Sequence, residues 1–201
     1  MPMTIAYEVG KSLYLNITNR CSNRCGFCVR ARTDGVGSGD NLWLDQEPTV
    51  EQVLITLREK DLTQYQELVF CGFGEPMYRV PEIIQICQSV KAYANIPIRI
   101  NTNGQANLIT GQNIPPLLSD LVDTVSISLN TPDRDSYQEI CQSIYGTEAF
   151  DALLDFAAKC KKHVKQVIFT VVDILSPQDI KTCRDLAEKI GINFRVRHFV
   201  S

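Results

Sequence analysis

Three of the eight cysteines form one tight group in the run CSNRCGFC: Cys21, Cys25 and Cys28. The other five are scattered singly, and three that lie within helical patterns are predicted to be small core residues: Cys87, Cys141 and Cys183. Residues 1–10 lack the basic start and apolar run of a secretion signal, so we expect a reducing compartment. In such a compartment, clustered cysteines bind metal more often than they form disulfides.

The spacing of this group limits the metal centres that it could hold. Structural zinc is normally four-coordinate, and none of the candidate fourth ligands has a matching spacing: Cys71, His163 and His198. A four-iron cluster held by only three thiolates leaves one iron open to a substrate or cofactor. The spacing therefore favours an iron–sulfur cluster, with a zinc site and unliganded cysteines as the alternatives.

The elements that must position these cysteines are short β-branched runs that alternate with helical segments, a pattern typical of βα units and a parallel sheet. Six strands are predicted, at 11–18, 67–71, 97–102, 124–130, 165–172 and 192–199. Helix starts are predicted from a capping box of Thr49 with Gln52, from Pro81, and from the pairs Thr131-Pro132 and Ser176-Pro177. Gly191 is predicted to end the last helix, and residues 29–47 to form one long loop.

The predicted strands alternate between apolar and polar residues. In strand 124–130, the odd-numbered residues from Val125 to Leu129 are apolar, whereas the even-numbered residues are serine or asparagine after Thr124. A parallel sheet covered by helices on both faces would show near-continuous apolar runs instead. We therefore predict an α/β fold, a partial (βα)6 TIM-like barrel with parallel strands and a polar lumen. The alternative is an antiparallel sheet with one face exposed to water.

Composition excludes several classes of function. The chain has 201 residues, of which 44% are hydrophobic, enough for the core of one sizeable domain, predicted to span residues 1–201. A net charge of −3 argues against direct nucleic-acid binding, because no excess of cations is available for phosphates. No stretch approaches the roughly 18 apolar residues of a membrane span. We expect a soluble, cytoplasmic protein without a membrane partner.

Polar residues follow the predicted strands at the ends where βα barrels carry their chemistry. The second strand runs into Gly72-Phe73-Gly74-Glu75-Pro76, the third into Asn101-Thr102-Asn103-Gly104, and the fourth ends on Ser128-Leu129-Asn130. The CxxxCxxC group after the first strand, with Phe27 before its last cysteine, resembles the signature of the radical S-adenosylmethionine (SAM) superfamily. The run from Gly72 to Pro76 is similar to the GGE motif of that family. The length and this run further resemble the small radical SAM proteins encoded beside TatD-type nucleases.

The resemblance implies a role for each matching residue. Cys21, Cys25 and Cys28 would ligate a [4Fe-4S] cluster whose fourth iron binds SAM. Glu75 would accept a hydrogen bond from the SAM ammonium, while Gly72 and Gly74 let the backbone approach closely. The remaining SAM contacts implied are the Phe27 backbone with adenine, and polar contacts of Asn103, Ser128 and Asn130.

The activity that the resemblance implies is reductive cleavage of SAM to a 5′-deoxyadenosyl radical, which abstracts hydrogen from an unidentified substrate. The resemblance implies an electron donor such as flavodoxin or ferredoxin, and a functional link to a TatD-type nuclease. An alternative within the superfamily is a small activase or a 7-carboxy-7-deazaguanine synthase-like enzyme. An alternative of another class is a non-catalytic iron–sulfur or zinc protein.

Three arginines share the polar phase of their strands and should face the lumen: Arg99, Arg195 and Arg197. Because guanidinium groups pair with planar oxyanions, we expect an anionic substrate group, with loop 29–47 and its Trp43 closing over it as a lid. Glu75 or Asp173 could neutralise one of these arginines. The alternative is that the arginines pair with acids at the base of the barrel or reach solvent at its open edge.

Overall fold

The computed structural model describes residues 3–35 and 41–199. Its strands form one sheet in which spatial order follows chain order. They are β1 (Ala6–Val9), β2 (Ser12–Leu15), β3 (Glu67–Phe70), β4 (Ile98–Thr102), β5 (Thr124–Ser128), β6 (Gln166–Val172) and β7 (Asn193–Arg197). Strands β2 to β7 are parallel and lie within the six predicted ranges. The predicted partial barrel is confirmed, because β1 and β7 end an open sheet.

The prediction of six strands is wrong by one, since β1 precedes them. This strand pairs antiparallel with β2, with Tyr7 opposite Tyr14, and the turn passes through Gly10 at φ 59°. A left-handed φ favours glycine at such a turn. β1 has only four residues. An alternation of apolar and polar side chains over so short a run does not distinguish a strand from an irregular segment.

Helices connect the parallel strands on the outside of the sheet. They are α1 (Val50–Arg58), α2 (Val80–Lys91), α3 (Ala106–Thr110), α4 (Arg134–Cys141), α5 (Glu148–Cys160) and α6 (Pro177–Ile190). The capping box of Thr49 with Gln52, the cap at Ser176 and the left-handed Gly191 are all confirmed. Within the described residues, no helix is long and apolar enough to cross a membrane.

The predicted start of α4 at Thr131-Pro132 is wrong. The cap is Asp133, whose side chain accepts hydrogen bonds from the backbone N–H groups of Asp135 and Ser136. A carboxylate at this position satisfies free N–H donors and complements the positive end of the helix dipole, worth ~1 kcal/mol. This correction moves the start of the helix by two residues and leaves the position of its C-terminal end unaffected.

The two faces of the sheet have the predicted polarity. The face toward the helices carries fully buried apolar side chains, among them Leu13, Leu68, Ile100, Ile127 and Phe169. The inner face carries polar residues that are also buried, such as Asn16, Ser126 and Thr170. Because buried polar groups need hydrogen-bond partners, the lumen is organised by specific contacts rather than by apolar packing.

The predicted loop 29–47 contains a 3₁₀ turn at Val29–Ala31 and a bridge between Gly35 and Asn41. Residues 36–40 of this loop lie outside the described residues. Trp43 is 40% exposed and contacts Phe73 edge to face, with ring centroids 5.1 Å apart. The loop is therefore seated against the segment that follows β3.

Candidate functional site

The cysteine-bearing segment follows β2 and is held from beneath by the C-terminal end of α4. The backbone N–H of Arg24 donates to the carbonyl of Cys141 at 2.9 Å, and that of Gly26 donates to Ile140 at 3.1 Å. Last-turn carbonyls of a helix lack partners within the helix, so they are available to anchor another segment. All three cysteines of the group are partly exposed free thiols.

A buried polar network fixes the first half of this segment, which we call the cysteine loop (residues 19–28). The hydroxyl of Ser22 donates to Oε1 of Gln105 at 2.8 Å, and Nε2 of Gln105 donates to Oδ1 of Asn23 at 2.8 Å. Nδ2 of Asn23 donates in turn to the hydroxyl of Tyr137 at 3.0 Å. Sequence reasoning missed these supports, because their partners lie 82 to 114 residues apart.

Glu75 lies fully buried beside the cysteine loop. Its Oε1 accepts hydrogen bonds from the hydroxyl of Thr102 at 2.7 Å and from the N–H of Met77 at 3.1 Å, and Oε2 accepts one from the N–H of Asn103 at 2.6 Å. Desolvation by burial raises the pKa of Glu75 to about 7, against the opposing effect of these three hydrogen bonds. Oε2 keeps acceptor capacity for a further donor, and a cationic donor would restore the ionised form.

The two glycines of this motif are required by packing within the protein. A side chain at Gly74 would collide with the backbone carbonyls of Thr18 and Arg20, and one at Gly72 would collide with Asn16. The N–H of Glu75 also donates to the carbonyl of Arg20 at 2.7 Å. The resemblance predicts that these glycines let the backbone approach SAM closely. The contacts within the fold already explain why glycine is needed at both positions. The motif packs directly against the chain that leads into the cysteines.

Asn103 connects Glu75 to the cysteine loop. Its Nδ2 donates to the hydroxyl of Ser22 at 2.8 Å, its Oδ1 accepts from the N–H of Gln105 at 3.0 Å, and its backbone N–H donates to Glu75. Both polar atoms of the side chain are engaged inside the protein. Asn103 therefore supports the cysteine loop from the end of β4.

Asn130 and Ser128 lie at the end of β5, as predicted. Asn130 adopts a left-handed φ of 62°, and its Nδ2 donates to the thiol of Cys141 at 3.3 Å. Its Oδ1 is buried and has no hydrogen-bond partner among the described residues. A buried acceptor without a donor costs ~1–3 kcal/mol, so this atom fits a site that receives a ligand hydroxyl or N–H.

Cys141 is buried as predicted, yet it is more than a filler of the core. Its thiol interacts with the thiol of Cys25 as well as with Asn130. The helical pattern around Cys141 gave no signal of this contact, because it depends on the cysteine loop folding across the end of α4. Phe27, on the same loop, is partly buried and packs against the main core.

The pKa of each of the three thiols is raised above its ordinary value, which favours the neutral form. Burial raises the pKa of Cys21 to about 12, with the nearby Glu75 carboxylate adding to the shift, and it also raises the pKa of Cys28. A hydrogen bond with Cys141, followed by burial, raises the pKa of Cys25. A thiolate at these positions therefore needs the positive charge of a metal, which deprotonates a coordinating thiol.

The cysteine loop offers three free thiols, and thiolates are the ligands that hold iron–sulfur clusters in proteins. Within residues 3–35 and 41–199, no three Cys, His, Asp or Glu side chains converge on a point where a single metal ion could sit. A cavity of about 340 Å³ opens beside the loop and is lined in part by Cys21, Arg30 and Gln142. Three free thiols, a buried carboxylate and an unpartnered amide oxygen thus surround one rim of the barrel.

The predicted substrate arginines differ in their surroundings. Arg99 is buried and pairs with Glu67 at 2.6 Å, so it is not a free cation, which agrees with the alternative interpretation for this residue. Arg195 and Arg197 are exposed and lie on the lumen face of β7. Neither proposed acid partner pairs with an arginine, because Glu75 is engaged as above and Asp173 contacts His198 at 2.8 Å.

Comparison with known proteins places these features in a family. A GTP 3′,8-cyclase from Clostridium perfringens is 26% identical over 186 residues, which cover 91% of this chain and 53% of the relative. The chain thus spans about half the length of this curated relative. The TatD-associated subgroup and the deazaguanine synthase-like alternative find no support among these relatives.

Three solved structures of two proteins share the fold. SuiB from Streptococcus suis has a TM-score of 0.71 in complex with its precursor peptide SuiA, at 20% identity over 94% of this chain and 39% of SuiB. Its SAM-bound form has a TM-score of 0.67, at 19% identity over 94% of this chain and 40% of SuiB. The methyltransferase TsrM from Kitasatospora setae, with cobalamin and a [4Fe-4S] cluster, has a TM-score of 0.58 at 11% identity over 92% and 36% of the two chains.

The model of the radical SAM superfamily matches residues 15–189, from the end of β2 to the last turn of α6. This range includes the cysteine loop, the Gly72–Pro76 motif and the end of β5. Members of the superfamily are enzymes whose cofactors are a [4Fe-4S] cluster and SAM. The chain belongs to the radical SAM superfamily.

Proposed function

We propose that Cys21, Cys25 and Cys28 ligate three irons of the [4Fe-4S] cluster and that the fourth iron binds SAM. The observation that carries this proposal is the position of Glu75, a buried carboxylate with spare acceptor capacity, close to the thiol of Cys21 in the group of three free thiols. A simple electron carrier has no need of such a carboxylate. The proposal therefore favours an enzyme over a non-catalytic iron–sulfur protein.

The residues around the thiols have distinct roles in holding SAM. Glu75 accepts a charge-assisted hydrogen bond from the ammonium of SAM, which restores its ionised form. Oδ1 of Asn130 accepts a hydrogen bond from a hydroxyl or N–H of the same ligand, assisted by Ser128, and the backbone of Phe27 contacts adenine. The neighbouring supports, Asn103 and Gln105, hold the cysteine loop without touching the ligand.

When bound and reduced, the cluster supplies the electron that cleaves SAM into methionine and a 5′-deoxyadenosyl radical, which abstracts hydrogen from the substrate. The protein orients SAM at the rim, while the lumen receives the substrate and excludes water. A flavodoxin or ferredoxin acts as reductant. The motif Gly-Phe-Gly-Glu-Pro supports membership in the group encoded beside TatD-type nucleases.

Anaerobic reconstitution of the full chain with iron and sulfide tests the proposal. We expect about four irons per chain and formation of 5′-deoxyadenosine and methionine from SAM on reduction by dithionite. A protein that binds the cluster without cleaving SAM would be an electron carrier, and one that binds only zinc would contradict the cluster assignment. Substrate is not required, since cleavage without substrate is itself measurable by chromatography.

A further inference from the structure

Two arginines on the last strand face the lumen of the barrel. Arg195 is paired in register with Thr170 of β6, and Arg197 with Val172. Thr170 is in turn paired with Ser128, at the end of β5. The register therefore places the two arginines level with the upper part of the lumen, on the rim where the cofactor residues lie. Side chains at alternate positions of β7, such as Phe194, point away from the lumen.

The acids near this part of the lumen are already engaged. Both carboxylate oxygens of Glu67 accept hydrogen bonds from Arg99, and one also accepts from Ser12. Asp173 accepts from the N–H of Phe199 and contacts His198. Among the residues that the structure describes, neither Arg195 nor Arg197 forms an ion pair.

Arg197 is close to the cofactor site. It interacts electrostatically with Cys71, which directly precedes the Gly72–Pro76 motif and itself interacts with Glu75. The side chain of Arg197 reaches solvent, yet desolvation by the surrounding walls, followed by the like charge of Arg195, lowers its pKa. An anion bound at this position would relieve the repulsion between the two guanidinium groups.

We infer that Arg195 and Arg197 form an anion subsite in the lumen that binds a carboxylate or phosphate group of the substrate. This inference rests on the proposed function, in which the lumen binds the substrate and the rim binds SAM. A guanidinium fork binds both kinds of anion bidentately, and two adjacent forks suit a dianionic group. Arg99 lies deeper in the lumen and pairs with Glu67, so it does not take part in binding the anion.

Calorimetric titration tests the subsite, with inorganic pyrophosphate and malonate as probes of the reconstituted protein saturated with SAM. We expect the wild type to bind at least one probe, and the stronger of the two identifies phosphate or carboxylate as the preferred group. Arg197→Gln should weaken this binding at least tenfold. The matched control is Arg184→Gln, because Arg184 is exposed on α6 and stacks on Phe194, on the opposite face of β7. It should bind like the wild type.

Three results would overturn the inference: no binding of either probe to the wild type, equal binding by Arg197→Gln, or probe binding to the SAM-free protein that is lost when SAM is added. The last result would mean that the arginines hold the carboxylate of SAM. Iron content and melting temperature check the folding of Arg197→Gln, and Arg195→Gln serves if that variant unfolds. If the wild type binds the anion but does not cleave SAM, only the proposed function is contradicted. If it cleaves SAM but does not bind the anion, only the subsite is contradicted.

Discussion

The backbone N–H of Asn103 donates a 2.6 Å hydrogen bond to Oε2 of Glu75, joining the segments that follow two neighbouring strands. The side chain of the same asparagine donates to Ser22 in the cysteine loop. One residue thus connects the carboxylate proposed to bind SAM with the loop proposed to hold the cluster. Because all these groups are buried, removal of the Asn103 side chain that connects them is expected to disturb the cysteine loop.

Replacement of Cys28 with alanine should abolish both the iron–sulfur chromophore and SAM cleavage. Cys141 contacts the thiol of Cys25, but it is fully buried at the C-terminal end of α4, so we expect it not to take the place of Cys28. Cys183→Ala is the control, because Cys183 is fully buried in α6, far along the chain from the loop, and should keep its iron. Visible absorption and iron analysis measure the difference. Full iron content in Cys28→Ala would contradict the proposed ligand set.

Glu75→Gln should lower the affinity for SAM by a factor of about 10–100, because a charge-assisted hydrogen bond is worth about 1.5–3 kcal/mol. Glutamine preserves the shape of the side chain, so the cluster should be retained. Calorimetry with the reconstituted protein measures the affinity, and Glu59→Gln, at an exposed position, is the control. Unchanged SAM affinity in Glu75→Gln would reduce the motif to a structural turn.

The raised pKa of Glu75 predicts a pH dependence of stability in the cofactor-free protein. A carboxyl whose pKa is about 7 when folded and 4.5 in the reference state favours the folded protein below pH 4.5, and this contribution is lost as pH rises through 7. Between pH 5 and pH 8, the free energy of unfolding of the wild type should fall by ~2 kcal/mol relative to Glu75→Gln. Urea unfolding at several pH values measures this difference. Parallel curves for the two proteins would mean that Glu75 is ionised throughout.

Gly74→Ala should destabilise the protein and weaken cluster retention, since its Cβ would press on the carbonyls of Thr18 and Arg20. Overpacking of this kind costs ~1–3 kcal/mol, which lowers the melting temperature of a chain of this size by roughly 3–10 °C. Gly26→Ala is the matched control, because a Cβ at Gly26 meets no described atom within 4 Å. Equal melting temperatures and iron contents for the two variants would show that the backbone at Thr18 and Arg20 shifts to accept the new Cβ with no loss of stability.

Tyr137→Phe should also destabilise the cysteine loop. The hydroxyl of Tyr137 accepts hydrogen bonds from Asn23 and Gln105. Its removal takes this acceptor from the buried Nδ2 of Asn23, at ~1–3 kcal/mol, while Nε2 of Gln105 keeps its hydrogen bond to Asn23. Differential scanning calorimetry measures the loss, and Tyr93→Phe provides a control at a side chain that is 50% exposed. A melting temperature as high as that of the control would mean that water replaces the hydroxyl.

The fold class and the location of the candidate site follow from short-range features of the sequence. Alternation with a period of two, as from Val125 to Leu129, identifies a face for every residue of a strand, because successive side chains point to opposite sides. The group from Cys21 to Cys28 and the motif from Gly72 to Pro76 each lie within a few residues. A parallel βα arrangement then brings every such segment to the same rim, whatever the exact strand bounds are.

Only the tertiary structure decided which groups satisfy one another. Arg99 has the same strand phase as Arg197, yet it pairs with Glu67, 32 residues away, because strand order and register bring that acid within reach. Asn103 is used as a support for Ser22, 81 residues away, and Cys141 contacts the cysteine loop for the same reason. The partner of a buried polar group depends on where distant segments meet, and that information is absent from local spacing.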